Sequence, residues 1–218
     1  MYVLNNTKEL KAGKAWTDDN GIQHPANWAS VWSTDEKAAH GLTEVNIQIK
    51  PDSKFYQVSG PSLDGSWSSK PKNLDDVTET VDGVETTTLG LKSEWIAKTK
   101  KTANTLLAPT DWQVIAKAER DRAIDSNVAT YRAAVIAKCA AIEKSITDIT
   151  DIVIPSDLAT IKAKEEEDKT DADRKVVSDY EAEVANKFAT FKALFDAPVD
   201  SDGRPTGNAP MYDWPELL

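Results

Sequence analysis

Cysteine is almost missing from this chain. Cys139 stands alone, so no intrachain disulfide framework exists. It falls on an apolar helical stripe, where a thiol reads as a small hydrophobe. Histidine is as scarce: His24 and His40 are too few and too isolated for a metal cage. The nine glycines never cluster, so no phosphate-cradling loop is present. No apolar run approaches the ~20 residues that cross a bilayer. The opening Met-Tyr-Val-Leu-Asn-Asn has no basic region leading into an apolar core, so no secretory leader is expected. An excess of positive charge is absent too. Against 26 Lys and Arg stand 36 Asp and Glu, a net charge of −10. That excludes a basic footprint for nucleic acid and docking on anionic lipid. It suits a soluble protein, or one that meets a basic partner.

Tryptophan is absent between residues 113 and 213, and that gap divides the chain. Six of the seven lie within the first 112 residues, and Trp214 is near the C-terminus. The Trp-free stretch is rich in Ala, Ile, Val, Lys, Asp and Glu. An α+β organisation follows: a small β-containing module, a larger helical module and an extended tail. The expected boundaries are 1–60 for the β-rich module with one short helix, and 61–89 for a linker or weak hairpin. A helical module with a corner at Pro109 spans 90–154, a charged connector and second heptad helix 155–196, and the tail 197–218.

Local signals place the elements. Asn20-Gly21 is a hairpin turn between residues around Trp16 and Gln23. Trp28, Val31 and Trp32 share helical spacing. Ser33-Thr34-Asp35-Glu36 is a capping box, and Gly41 sits where a helix C′ glycine belongs, giving a helix over 34–40. Leu42 to Ile49 alternates apolar and polar residues, so it reads as a strand, with Phe55–Val58 as an antiparallel neighbour. Asp82-Gly83 suits either a hairpin or a mobile linker.

Leu91, Trp95, Ala103, Leu106 and Leu107 share one helical face. Pro109 then stops simple continuation. Thr110 and Gln113 have capping-box spacing for a second helix, and Trp112 would pin the corner against Leu106 and Leu107. That helix should end near Asp121, with a restart near Ser126. Two heptad seams follow. The first is Val128, Tyr131, Val135, Cys139, Ile142, Ile146 and Ile149; the second is Val177, Tyr180, Val184, Phe188, Phe191 and Phe195. Both step by threes and fours, the period of a left-handed supercoil. Matched seams allow a helical hairpin within one chain or a coiled coil between copies, so a homo-oligomer is among the assemblies expected. Glu165–Asp168 reads as a solvated face or flexible connector.

The tail has no periodicity, yet it ends in Met211, Tyr212, Trp214, Leu217 and Leu218. Either it straps back over its own helices, or it docks in a partner's groove with Tyr212 and Trp214 as anchors. Together with Trp112 these five are the candidate partner-binding residues. No catalytic residue, metal ligand or cofactor site is readable. The charges from Lys117 to Asp125 form i,i+4 pairs typical of a solvated helix face. Asp200-Ser201-Asp202-Gly203 lacks the bidentate acid of a calcium loop.

One set of segments carries a resemblance. Gly21, Ile22, Pro25, Asn27 and Trp28 come first, then Ser33-Thr-Asp-Glu-Lys-Ala-Ala through Gly41-Leu42, then Lys54-Phe55-Tyr56. Leu106-Leu-Ala-Pro-Thr-Asp-Trp112 and Tyr131-Arg-Ala-Ala-Val135 complete it. In this order they resemble tail-fibre assembly chaperones and related tail-associated proteins of tailed bacteriophages, particularly marine ones. The resemblance covers residues 14–60 and 91–145, leaving out the second seam and the tail. It implies a β-containing part before a helical part, no catalytic residue, no cofactor, and a tail fibre or another tail protein as partner. It also implies action in the host cytoplasm during assembly. A structural virion protein of the tail or neck, anchored by its coiled coil and C-terminal tail, is the alternative.

Overall fold

A computed structural model describes residues 1–217, and the fold is α+β. The chain forms two compact units, Met1–Lys72 and Asn73–Leu218.

The first unit is built from short antiparallel pairs. Strands β1 (Tyr2–Leu4) and β2 (Lys8–Leu10) are joined through Asn5 and Asn6, both at positive φ. Asparagine tolerates that left-handed region better than most residues. β3 (Trp16–Thr17) pairs with β4 (Gln23–His24) across the Asn20-Gly21 loop. Helix α1 (Trp28–Val31) is one turn long, and α2 (Thr34–Ala39) carries the full Ser33–Glu36 capping box. β5 (Leu42–Glu44) completes a sheet of order β2-β1-β5. Leu4, Leu10, Trp16, Trp28 and Leu42 form the core. The Trp28 ring is fully buried, and its indole N–H donates to the Lys14 carbonyl at 2.9 Å. The largest apolar body in the unit therefore has its one polar atom satisfied.

Two strand expectations are corrected. The alternating pattern from Leu42 to Ile49 forms a strand only as far as Glu44. Val45 still exchanges hydrogen bonds with Met1. Beyond it, the Gln48 amide donates to the Gly65 carbonyl and the Gln48 carbonyl accepts from the Trp67 indole. The segment is thus held by a turn instead of a neighbouring strand, and Ile49 is fully exposed. The strand after it, β6 (Tyr56–Ser59), pairs with β7 (Ser68–Pro71) and not with β5. This pairing carries the first unit to Lys72.

The second unit opens with a hairpin, β8 (Val77–Val81) and β9 (Val84–Thr88). Asp82 and Gly83 both take positive φ, the geometry that matches strand twist in a two-residue turn. Gly90 follows, and a Cβ there would lie 2.4 Å from backbone atoms of Leu74 and Asp75. Glycine is therefore the residue that lets the hairpin base touch the start of α3 (Leu91–Leu107). Asp76 accepts from the Gly90 amide at 2.7 Å and the Ser93 hydroxyl at 2.9 Å, so it caps α3 from outside the helix.

A 3₁₀ turn at Ala108–Thr110 leads into α4 (Asp111–Arg120), and α5 (Ser126–Thr147) starts under an Asp125 cap. α5 runs antiparallel to α3. Tyr131 near its start donates to the Leu106 carbonyl at 3.2 Å, while Lys92 at the start of α3 donates to the Ile149 carbonyl at 3.1 Å. α6 (Leu158–Ala163) and α7 (Asp171–Ala193) complete the unit. Thr170 and Asp173 form a capping box for α7.

The two seams are placed differently in the unit. The first is buried at Val128, Tyr131, Val135, Ile142, Ile146 and Ile149, and its helix packs along α3. The second is divided. Its N-terminal half, with Val177, Tyr180 and Val184 half-buried, lies on the helix that packs with α6. Its C-terminal half buries Phe188 and Phe191, and the Phe195 ring meets Trp95 of α3 at 4.5 Å. An apolar stripe of this period fits any complementary stripe. Leu91, Trp95, Ala103 and Leu107 supplied one closer in sequence.

Candidate functional site

At Pro109 the α-helix gives way to a 3₁₀ turn, but Ala108 stays right-handed helical at φ −51°, ψ −43° instead of being pushed out of the α region, and the segment is fastened differently from the expectation. Thr110 and Gln113 make no capping box. The Thr110 hydroxyl donates to the Leu107 carbonyl at 2.8 Å, and Gln113 Oε1 accepts from the Asp125 amide at 2.9 Å. Trp112 does not pin the corner, because its ring is 52% exposed beneath the Arg122 guanidinium. The fastener is Arg132. Its Nη1 donates to the Leu107 carbonyl at 2.9 Å, Thr110 Oγ1 at 2.7 Å and Asp111 Oδ1 at 2.8 Å. A planar, permanently charged donor suits three convergent oxygens. Sequence reasoning passed over it because its partners lie more than twenty residues away.

Beyond this fastening, α4 carries its apolar residues outward. None of its residues is buried. Gln113 and Ala116 are the half-buried positions, three apart on one face. Val114, Ile115 and Ala118 share the opposite arc, with Trp112 one turn before Ile115. Val114 is 38% exposed and Ile115 55%. Soluble helices ordinarily present the reverse arrangement. Burying the exposed parts would release about 1 kcal/mol for Val114, about 1–2 for Ile115 and about 2–3 for Trp112.

A second apolar feature lies between α3 and α5. It is a groove of about 400 Å³ floored by Ala103, Leu107, Ile136, Cys139 and Ala140. Lys100 and Glu143 stand over it as an ion pair at 3.3 Å. Ile136 is 56% exposed. The Cys139 thiol donates to Glu143 at 3.2 Å, and burial together with that carboxylate pushes its pKa up to about 11. A thiol so protonated is a poor nucleophile.

The tail lies along its own helical unit. Met211 is 5% exposed, and its amide donates to the Leu194 carbonyl at 3.1 Å. Trp214 packs on the cluster of Ala103, Tyr131 and Val135, and Asp213 pairs with Lys138 at 3.6 Å. Tyr212 and Leu217 are each about half exposed. Leu218 lies outside the described residues. Of the six candidate partner-binding positions, Met211, Tyr212 and Trp214 are therefore engaged in cis, the Tyr212 ring lying edge-on to Phe195 at 6.0 Å. Trp112 alone belongs to the outward face of α4.

One polar cluster lies within the first unit. His24 Nε2 lies 3.2 Å from Asp18 Oδ2, with the imidazole against Trp16, and His40 stacks on Trp32. The Ile22 amide, His24 and the Asn20 amide hold the Asp18 carboxyl below its usual range. The shallow hollow of about 570 Å³ beside Tyr2 and Asn27 has no acidic or basic side chain in its lining. Among the described residues no three His, Cys, Asp or Glu side chains are grouped to hold a metal, and no helix is long and apolar enough to cross a membrane. No protein family, curated protein or solved structure matches the chain.

Proposed function

We propose that this protein is a non-catalytic assembly factor for a phage tail fibre, acting in the host cytoplasm by holding a tail or fibre protein on the outward face of α4. The observation that carries the reading is the inverted helix. Trp112 and Ile115 are apolar, exposed and one turn apart, with Val114 exposed on the flank beyond Ile115, on a helix whose start is tied by Arg132. An aromatic anchor flanked by aliphatic side chains is the usual centre of a protein-binding surface. The segment resemblance supplies the identity of the partner. The cis placement of Met211 and Trp214 weighs against the tail as a virion anchor.

The test is a photo-crosslinking residue in place of Trp112 in the full chain, expressed in phage-infected cells. Covalent capture of a fibre or tail protein is expected, with loss of capture in Ile115→Asp and no stoichiometric chain in purified virions. Capture of no tail component overturns the proposal. Stoichiometric chain in virions replaces it with the structural virion protein.

A further inference from the structure

The α3–α5 pair has two faces, and only one is covered. On α5, Lys138 meets the tail, while Ile136 and Ala140 line the groove. At 100° per residue these positions lie roughly 160–200° apart around the helix. On α3, Trp95 meets Phe195 and Asn104 lines the groove, again about half a turn apart. The tail and Phe195 therefore close one side of the helix pair, and the groove opens on the other.

From this we infer that the open face pairs with the same face of a second copy, forming a two-fold dimer. Two properties select that occupant. The first is charge. The chain as a whole carries −10 and repels itself. The groove instead presents one cation and one anion, Lys100 and Glu143. Across a two-fold axis, Lys100 of each copy can exchange onto Glu143 of the other, so the face is neutral and self-complementary. An isologous contact requires this match of a patch with itself. The second is area. The 17 residues of α3 give a face ~25 Å long, and two packed helices make it ~20 Å wide. Taken flat, the face is ~500 Å² per copy, or ~1,000 Å² in the pair, which just reaches the size a specific interface needs. Ile136 from each copy fills the partner's groove over Ala103 and Ala140. The outward arc of α4 is a separate surface, so dimer formation and fibre capture are independent of one another.

Sedimentation equilibrium of the full chain tests this. At roughly 100 µM the wild type should sediment at twice the 23.9 kDa chain mass. Ile136→Lys should weaken association at least tenfold, with helical circular dichroism unchanged because the site is exposed. Lys100→Glu should weaken it as well, and the double variant Lys100→Glu/Glu143→Lys should restore it. A monomeric wild type at that concentration overturns the inference. So does a dimer that Ile136→Lys leaves intact, or one that only Ile115→Asp disrupts.

Discussion

Replacing Arg132 with Met should loosen the helical unit at one identifiable point. The guanidinium is largely buried and donates to three oxygens, two of them in the turn at 107–110. A hydrogen bond from a charged donor contributes about 1.5–3 kcal/mol when its acceptor is shielded. The Asp111 carboxylate is half exposed, so that pair contributes ~0–1 kcal/mol. Thr110 is buried and keeps its own bond to the Leu107 carbonyl, which limits the loss. The expected total is about 2–3 kcal/mol. For a unit of this size that corresponds to a fall in Tm of roughly 5–10 °C. Circular dichroism at the helical minimum reads it directly, because the long helices all belong to the second unit. Asp111→Asn should cost under ~1 kcal/mol, since it removes only the exposed partner. Arg132→Lys should fall between, because a lysine reaches fewer of the three oxygens. A loss below ~0.5 kcal/mol in Arg132→Met, or an equal loss in Asp111→Asn, would refute Arg132 as the fastener.

Phe191→Ala should destabilise the helical unit by about 3–5 kcal/mol in denaturant unfolding, because the ring is fully buried. Gly90→Ala should be costly, since the new methyl meets the backbone of residues 74 and 75. Gly83→Ala, with open space but φ of +78°, should cost only about 1 kcal/mol of strain. Asp173 titrates at about 2 in the folded chain, held down first by Lys164 and then by the Thr170 amide and hydroxyl. Its folded pKa lies below the unfolded value, so its contribution is present above about pH 4 and disappears as pH falls through about 2. Lys164→Met should move the Asp173 titration upward in a carboxylate NMR experiment, and an unmoved titration would rule out that pairing.

Signals confined to a few residues were legible in the chain alone. Ser33 and Glu36 cap α2 because both partners of the box lie within one turn. Asp82-Gly83 left a hairpin or a mobile linker open, and the structure has the hairpin, with both residues at positive φ. The first seam appears as one buried stripe on α5 because periodicity is a property of the segment itself. The candidate surface was only half visible. Trp112 stood out by size, but its direction did not, and Ile136 looked like any residue beside a seam.

The sequence by itself determined where most helices and turns lie, and which stripes are apolar, because hydrogen bonding and side-chain spacing act over a turn or two. Only the tertiary structure decided which stripe meets which. α5 packs along α3, α7 packs with α6 and sets Phe195 against Trp95, and Met211 and Trp214 settled on their own unit. Apolar contact is nondirectional, so competing partners with the same period are separated by how the whole chain closes. Arg132 reaches back to the segment at 107–111, and the apolar arc of α4 faces outward.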